Sequence, residues 1–266
     1  MTQTDPGQDV PVGGGPTARW LDELGLAYVF LTRLPWPRSI ADTRPLMAAS
    51  WAFPLVGALV GLISGVAFAL ADAVGLPGGA AAMIALVAAA LVTGALHEDG
   101  LADLADGFGG GRDAEAKRRI MRDSRIGTYG VLALVLAVGL KAACLAAMDA
   151  DSAVLALIAT HAVARGVVPA LTRALPFAAG DGVGRGAGKP GRDGALWAAG
   201  IALALAVFVL PAGIGIAAAL AAAAAAGLVG ALARRQIGGV TGDVLGAAEQ
   251  AAEAAALAAV AAYLAL

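Results

Sequence analysis

The sequence predicts an all-α fold, a polytopic membrane bundle of about seven transmembrane helices with its N-terminus in the cytoplasm. Three observations carry this. First, 59% of the 266 residues are hydrophobic and only 14% are charged, against about 25% charged in a soluble domain. Second, Leu46–Ala71, Ala73–Leu96 and Ala195–Ala233 contain no Asp, Glu, Lys or Arg. Each exceeds the roughly 18 residues that mark a membrane span. Third, the basic residues sort to one side of the bundle those runs imply.

The elements follow in order. Residues 1–18, rich in Gly, Pro and Thr, lack the charged-then-apolar order of a signal peptide and read as a disordered cytoplasmic tail. Residues 19–266 read as one transmembrane domain. Trp20–Leu34 is a short amphipathic stretch ended by Pro35 and Pro37, and Trp20, Trp36 and Trp51 suit headgroup depth. Seven spans then fit at 48–71, 77–97, 127–148, 152–172, 194–211, 213–233 and 244–265. Pro211-Ala-Gly divides the run 195–233 into two of them, because proline breaks a helix interior. With this layout all 18 Lys and Arg except Lys141 and Arg165 fall in the tail and loops on the N-terminal side. That is the positive-inside pattern of a multi-pass membrane protein. Gly57, Gly61 and Gly65 form a small-xxx-small seam for helix packing. Cys144 is the only cysteine, so no internal disulfide forms, and two histidines with one cysteine make no zinc finger. A net charge of -2 gives no sign of a nucleic-acid partner.

The chemistry concentrates in HEDGLADLADGFGGG, residues 97–111. Glu98, Asp99, Asp103 and Asp106 appear where the second apolar run ends. The three aspartates are spaced i, i+4, i+7 and share a helix face, where like charges repel unless neutralised. A hard cation such as Mg²⁺ suits such a face, and a solvated acidic helix end is the plainer reading. Gly107, Gly109 and Gly110 then suggest a turn whose backbone approaches a phosphate. A helix over 113–123 brings Lys117, Arg118, Arg119 and Arg122, with Arg125 continuing the stripe of Arg118 and Arg122. Ordinary loop basicity explains some of this. An acidic stripe, a glycine turn and a basic stripe in sequence also equip a site for metal-assisted diphosphate chemistry, with carboxylates on Mg²⁺ and arginines on the remaining oxygens. Other polar residues lie inside spans, where they are costly and commonly functional. His161 and Arg165 share a face of the fourth span, and Glu249 and Glu253 a face of the seventh, after Thr241-Gly-Asp243. Arg165 either pairs with a glutamate or reaches a substrate phosphate; both readings stand. Lys141 snorkels or pairs, and Arg185 and Lys189 in the loop 180–194 are candidate phosphate contacts.

These stretches, with FLTRLPWP (30–37), FPLVGALVG (53–61), IMRDSRIGTYG (120–130) and TGDVLGA (241–247) in the same order, make the chain resemble the cobalamin synthase family, the adenosylcobinamide-GDP ribazoletransferases. The likeness runs from about residue 20 to the end. It implies an integral enzyme of the bacterial inner (plasma) membrane, its active site facing the cytoplasm, that serves nucleotide-loop assembly: it joins adenosylcobinamide-GDP to α-ribazole or its 5′-phosphate, needs Mg²⁺ and releases GMP. In that chemistry a ribose hydroxyl attacks the phosphorus on the cobinamide side. Asp99, Asp103 and Asp106 would hold the metal, with Glu98 as a further ligand or its support. Arg122 and Arg125 would balance charge. Asp103, Asp106 or, second, Asp123 would take the hydroxyl proton. Arg118, Ser124, His161, Arg165 and Asp243, with the three glycines, complete the substrate-binding candidates. Homo-oligomers, or complexes with other corrinoid-pathway enzymes, are compatible with the sequence. The layout also resembles the CDP-alcohol phosphotransferases, but no Ala-Arg follows the motif and no second DxxxD comes at their spacing. A CDP-alcohol-type phosphotransferase is therefore the alternative. A cation transporter is the more distant one, since its acids belong near the midplane.

Overall fold

The computed structural model describes residues 16–40, 44–179 and 186–265. The expected tail falls outside them except that a helix already begins at Pro16, and Arg185 also lies outside. Ten α-helices are present among the described residues: α1 Pro16–Leu31, α2 Phe53–Ala73, α3 Gly78–Thr93, α4 Leu96–Gly110, α5 Ala114–Met121, α6 Thr128–Ala146, α7 Ala150–Ala174, α8 Arg192–Val209, α9 Ala212–Ile237 and α10 Gly242–Leu264. A 3-10 segment, Leu46–Ala52, leads into α2. The architecture is all-α and polytopic. Six helices are long and apolar enough to cross a membrane, counting the 3-10 segment with α2, and the bent pair α3–α4 brings the number to seven. The break at Pro211 falls as expected, between the extended Leu210 and the start of α9.

One boundary differs. The expected span 77–97 stops at Thr93, and α4 leaves α3 at 93°. Gly94 (φ 66°) and Ala95 (φ 54°) are both left-handed. Glycine takes that conformation without a Cβ penalty, and alanine does not. The Arg33 side chain lies over Gly94, where a Cβ would collide with it. Helix α4 thereby turns across the end of the bundle that carries the N-termini of α6 and α10.

The interior is small and the rim is large. Ala81, Ala85, Ala156, Ala159, Ala218 and Ala252 are fully buried, whereas Leu91, Val135, Leu136, Leu220 and Phe208 are exposed. Lipid replaces water around such a bundle, so close approach of small residues holds it together. The Gly57–Gly61–Gly65 seam shows this. A Cβ on Gly57 would collide with the carbonyl of His161, one on Gly61 with that of Leu157, and one on Gly65 would lie 2.9 Å from Val154 Cα. The backbones of α2 and α7 therefore touch. At the other side a parallel bridge between Phe177 and Val240 joins the turn after α7 to the turn before α10, with Ala178 N–H donating to Val240 O at 3.0 Å. Helix α1 is fastened to the 3-10 segment. Trp51 Nε1–H donates to buried Glu23 Oε2 at 2.5 Å, and Arg44 pairs with the other Glu23 oxygen at 2.8 Å.

Candidate active site

Three helices bring the acids and bases together. Helix α4 meets the start of α10 at Gly100, where a Cβ would lie 3.0 Å from the carbonyl oxygen of Asp243. Thr241 caps α10 by accepting from Val244 N–H at 3.3 Å, which sets Asp243 in its first turn. Helix α4 meets α5 at Gly107, where a Cβ would collide with Met121. Asp113 caps α5, accepting from Glu115 and Ala116 N–H at 3.0 and 2.8 Å. The result is a cleft of about 260 Å³ walled by Asp99, Asp103, Arg122, Asp123 and Ser124. A basic hollow with Arg118, Arg119 and Arg122 opens beside it, sharing Arg122.

Asp99 is exposed, and Asp103 is half-buried. Burial, then the charges of Asp99, Asp243 and Asp106, push the Asp103 carboxyl up to about 6. Such crowding of anions is what a cation relieves. Their oxygens do not close into a cage. Among the described residues the trio whose ligand atoms lie within 4.8 Å of one another is His161, Glu249 and Glu253, elsewhere in the bundle. An open set of carboxylates fits Mg²⁺, which keeps waters and substrate phosphates as its other ligands.

Several expected site residues are placed otherwise. Asp106 is buried and turned to α6, accepting from Gly127 N–H at 2.6 Å and Gly130 N–H at 2.8 Å. Its two oxygens cap a helix whose own N-cap, Gly127, has no side chain to do so. Glu98 points inward, its Oε1 accepting from Gln250 Nε2 at 3.2 Å, so it does not join the cleft. The glycine turn does not exist. α4 remains helical through Gly110, so the amides are spent on helix carbonyls. Gly107 and Gly109 serve close packing against Met121 and the Tyr129 ring. Gly110 faces Ile120, where a Cβ would lie 3.3 Å from its Cδ1. Helix α5 ends at Met121, so Arg125 does not share its face. It is turned to solvent and pairs with Asp123 at 2.8 Å. That hydrogen-bonded guanidinium holds the Asp123 carboxyl down at about 2, a poor proton acceptor. Arg118 leans on the carbonyl of Ile237 at 3.4 Å, and Lys189 donates to Leu175 O at 2.9 Å.

A second polar group lies inside the bundle. Arg165 Nη1 lies 2.5 Å from Glu249 Oε1, an ion pair outside hydrogen-bond geometry, and 2.9 Å from His161 Nδ1. Lys141 Nζ donates to Glu253 at 3.0 Å and to Gln250 at 2.9 Å. His161 lies 3.2 Å from Glu253, and His97 lies 3.4 Å from Glu249. Arg165 thus pairs with a glutamate across α7 and α10, and His161 sits away from the cleft. Sequence reasoning missed Gln250, which bridges Lys141, Glu98 and Glu249, and His97. The signal for both was their adjacency to charged residues already singled out.

Comparison with known proteins identifies the family. The family model described as cobalamin-5-phosphate synthase matches residues 23–261. A relative from Mesorhizobium japonicum is 46% identical over 231 residues, covering 86% of this chain and 89% of its own. One from Bradyrhizobium diazoefficiens is 46% identical over 239 residues, 86% and 88% of the two chains. One from Azorhizobium caulinodans is 41% identical over 244 residues, 88% and 92%. All three are named adenosylcobinamide-GDP ribazoletransferase. No solved structure matches. The chain belongs to the cobalamin-5-phosphate synthase family.

Proposed function

We propose, with membership of the cobalamin-5-phosphate synthase family as the premise, that this protein is an adenosylcobinamide-GDP ribazoletransferase. It joins adenosylcobinamide-GDP to α-ribazole or its 5′-phosphate and releases GMP. The observation that carries the site assignment is the cleft in which Asp99 and Asp103 face Arg122 at one end of the bundle.

The residues divide the work. A ribose hydroxyl oxygen bonds to the phosphorus on the cobinamide side, and the bond from that phosphorus to the bridging oxygen breaks. GMP leaves with that oxygen, and the hydroxyl proton passes to a cleft carboxylate. Asp99 and Asp103, with Asp243 beside them, would hold Mg²⁺, which supplies Lewis-acid stabilisation of diphosphate charge when bound. Arg122 stands where the acidic cleft and the basic hollow meet, so it orients the diphosphate and offsets charge developing on the leaving phosphate. Asp106 holds α6 in place instead of touching the reactants. By the distribution of Lys and Arg, the cleft faces the cytoplasm of a bacterial inner membrane.

The test is GMP release by purified protein in liposomes with Mg²⁺. Release from adenosylcobinamide-GDP that requires added α-ribazole supports the assignment, and its absence in active lipid refutes it. Asp103→Asn should lower kcat by on the order of a hundredfold or more, and full activity in that variant would remove Asp103 from the site. The facing is tested in a Cys144→Ser background with Glu115→Cys or Asp151→Cys. A membrane-impermeant maleimide should label position 151 in intact cells and position 115 only after the membrane is opened; the reverse would invert the topology.

A further inference from the structure

A second cavity lies beside the acidic cleft, enclosed by α1, the 3-10 segment, α4, α7 and α10, with a volume of about 210 Å³. Phe30, Met47, Val168 and Leu245 give it an apolar wall. Four polar side chains interrupt that wall at one side, His97, Asp99, Arg165 and Asp243, and two of them matter most here. Asp99 borders this cavity and the acidic cleft alike, so the two spaces meet at one carboxylate. Arg165 also lines the cavity; it is 1% exposed, and among the described residues its Nε has no hydrogen-bond partner. A buried N–H without an acceptor is unusual in a native interior and calls for explanation.

We propose that this cavity seats the benzimidazole base of ribazole, leaving the ribose hydroxyls at Asp99 beside the diphosphate. The inference rests on the ribazoletransferase reading above. The match is chemical. The base is a flat, dimethylated bicycle with an apolar surface and one ring nitrogen that accepts a hydrogen bond. The cavity offers an apolar slot and an unused N–H on a lining arginine. The corrinoid is far larger than the space. A lipid acyl chain would fill the slot but give Arg165 no acceptor.

Steady-state kinetics of the full chain in liposomes test this. Val168→Phe narrows the cavity and should raise the KM for α-ribazole by about tenfold or more, the scale of one misplaced group in an apolar pocket. The KM for adenosylcobinamide-GDP should stay within about twofold, far below that scale. Met47→Ala widens the slot and should shift preference toward a riboside of a bulkier base; this variant decides the matter if Val168→Phe does not fold. The ring's own fluorescence reports ribazole binding without turnover and should weaken in parallel. An unchanged KM for ribazole in both variants overturns the proposal. So do two KM values that rise together, the signature of a structural or lipid-filled cavity. A wild-type protein without ribazole-dependent GMP release would instead overturn the ribazoletransferase reading itself.

Discussion

Asp103 and Asp106 are one turn apart on α4 and do different things, because each answers to a different neighbour. Asp103 is crowded by burial and by Asp99, Asp243 and Asp106, which raise it to about 6. A raised carboxyl is protonated below that value and charged above it. Protons therefore compete with a cation for Asp103 below about pH 6. Mg²⁺ affinity should rise as pH increases through 6 and level off above 7, and Asp103→Asn should flatten that dependence. Calorimetric titration at pH 5.5 and 7.5 measures it; equal affinity at both would place the cation elsewhere. Asp106 answers to backbone donors at Gly127 and Gly130. Removing it in Asp106→Ala orphans both, and hydrogen bonds to a buried carboxylate are worth about 1.5–3 kcal/mol each. The melting temperature in detergent should drop with or without Mg²⁺. In Asp103→Asn, by contrast, the melting temperature should hold while protection by Mg²⁺ disappears.

At the scale of elements, what the sequence disclosed follows from what governs each one. Long apolar helices were legible because composition alone decides them, and the Gly57–Gly61–Gly65 seam was legible because spacing puts it on one face. The seam is steeply constrained: Gly61→Val would push a side chain into the backbone of Leu157 and Ile158. Overpacking of this kind costs on the order of 2 kcal/mol, more where backbone cannot retreat, so thermal unfolding in detergent should shift down clearly while an exposed Gly200→Val variant stays near wild type. The bend between α3 and α4 was not legible. Ala95 adopts a left-handed conformation although alanine is the best helix former, and no charge marks the place. The reverse error arose at GFGGG, where glycine chemistry predicts a turn but Met121, Ile120 and Tyr129 pack over a continuing helix. Propensity is local, and tertiary contact overrode it in both directions. The cleft itself was half legible. Asp99, Asp103 and Arg122 were visible by type and spacing. Asp106 as a cap, Glu98 as an inward residue and Arg125 as a solvent-facing partner of Asp123 depend on where other helices end.

At the scale of the whole molecule, the bundle carries its charge in two places: an open cleft at one end, and a closed group between α4, α6, α7 and α10. In the closed group Lys141 and Arg165 are set against Glu249 and Glu253, and Gln250 joins the pairs and links them to Glu98 on α4. Its members come from helices far apart in sequence, so it ties α6 and α7 to α10 where alanine packing alone specifies rotation weakly. Buried ion pairs contribute little net stability, because desolvation offsets attraction, but a lone remaining charge is costly. Lys141→Met strands Glu253 near Arg165 at 3.8 Å, its closest remaining cation, and should destabilise the protein by about 3–5 kcal/mol. Glu253→Gln alone strands Lys141 similarly. Combining the two removes both charges, so the double variant should be more stable than the sum of the single losses predicts, with a coupling on the order of 1–3 kcal/mol. Unfolding of the four proteins in one detergent measures this cycle. Simple additivity would mean that Lys141 and Glu253 do not act as a pair, and that packing alone fixes how α6 sits against α10.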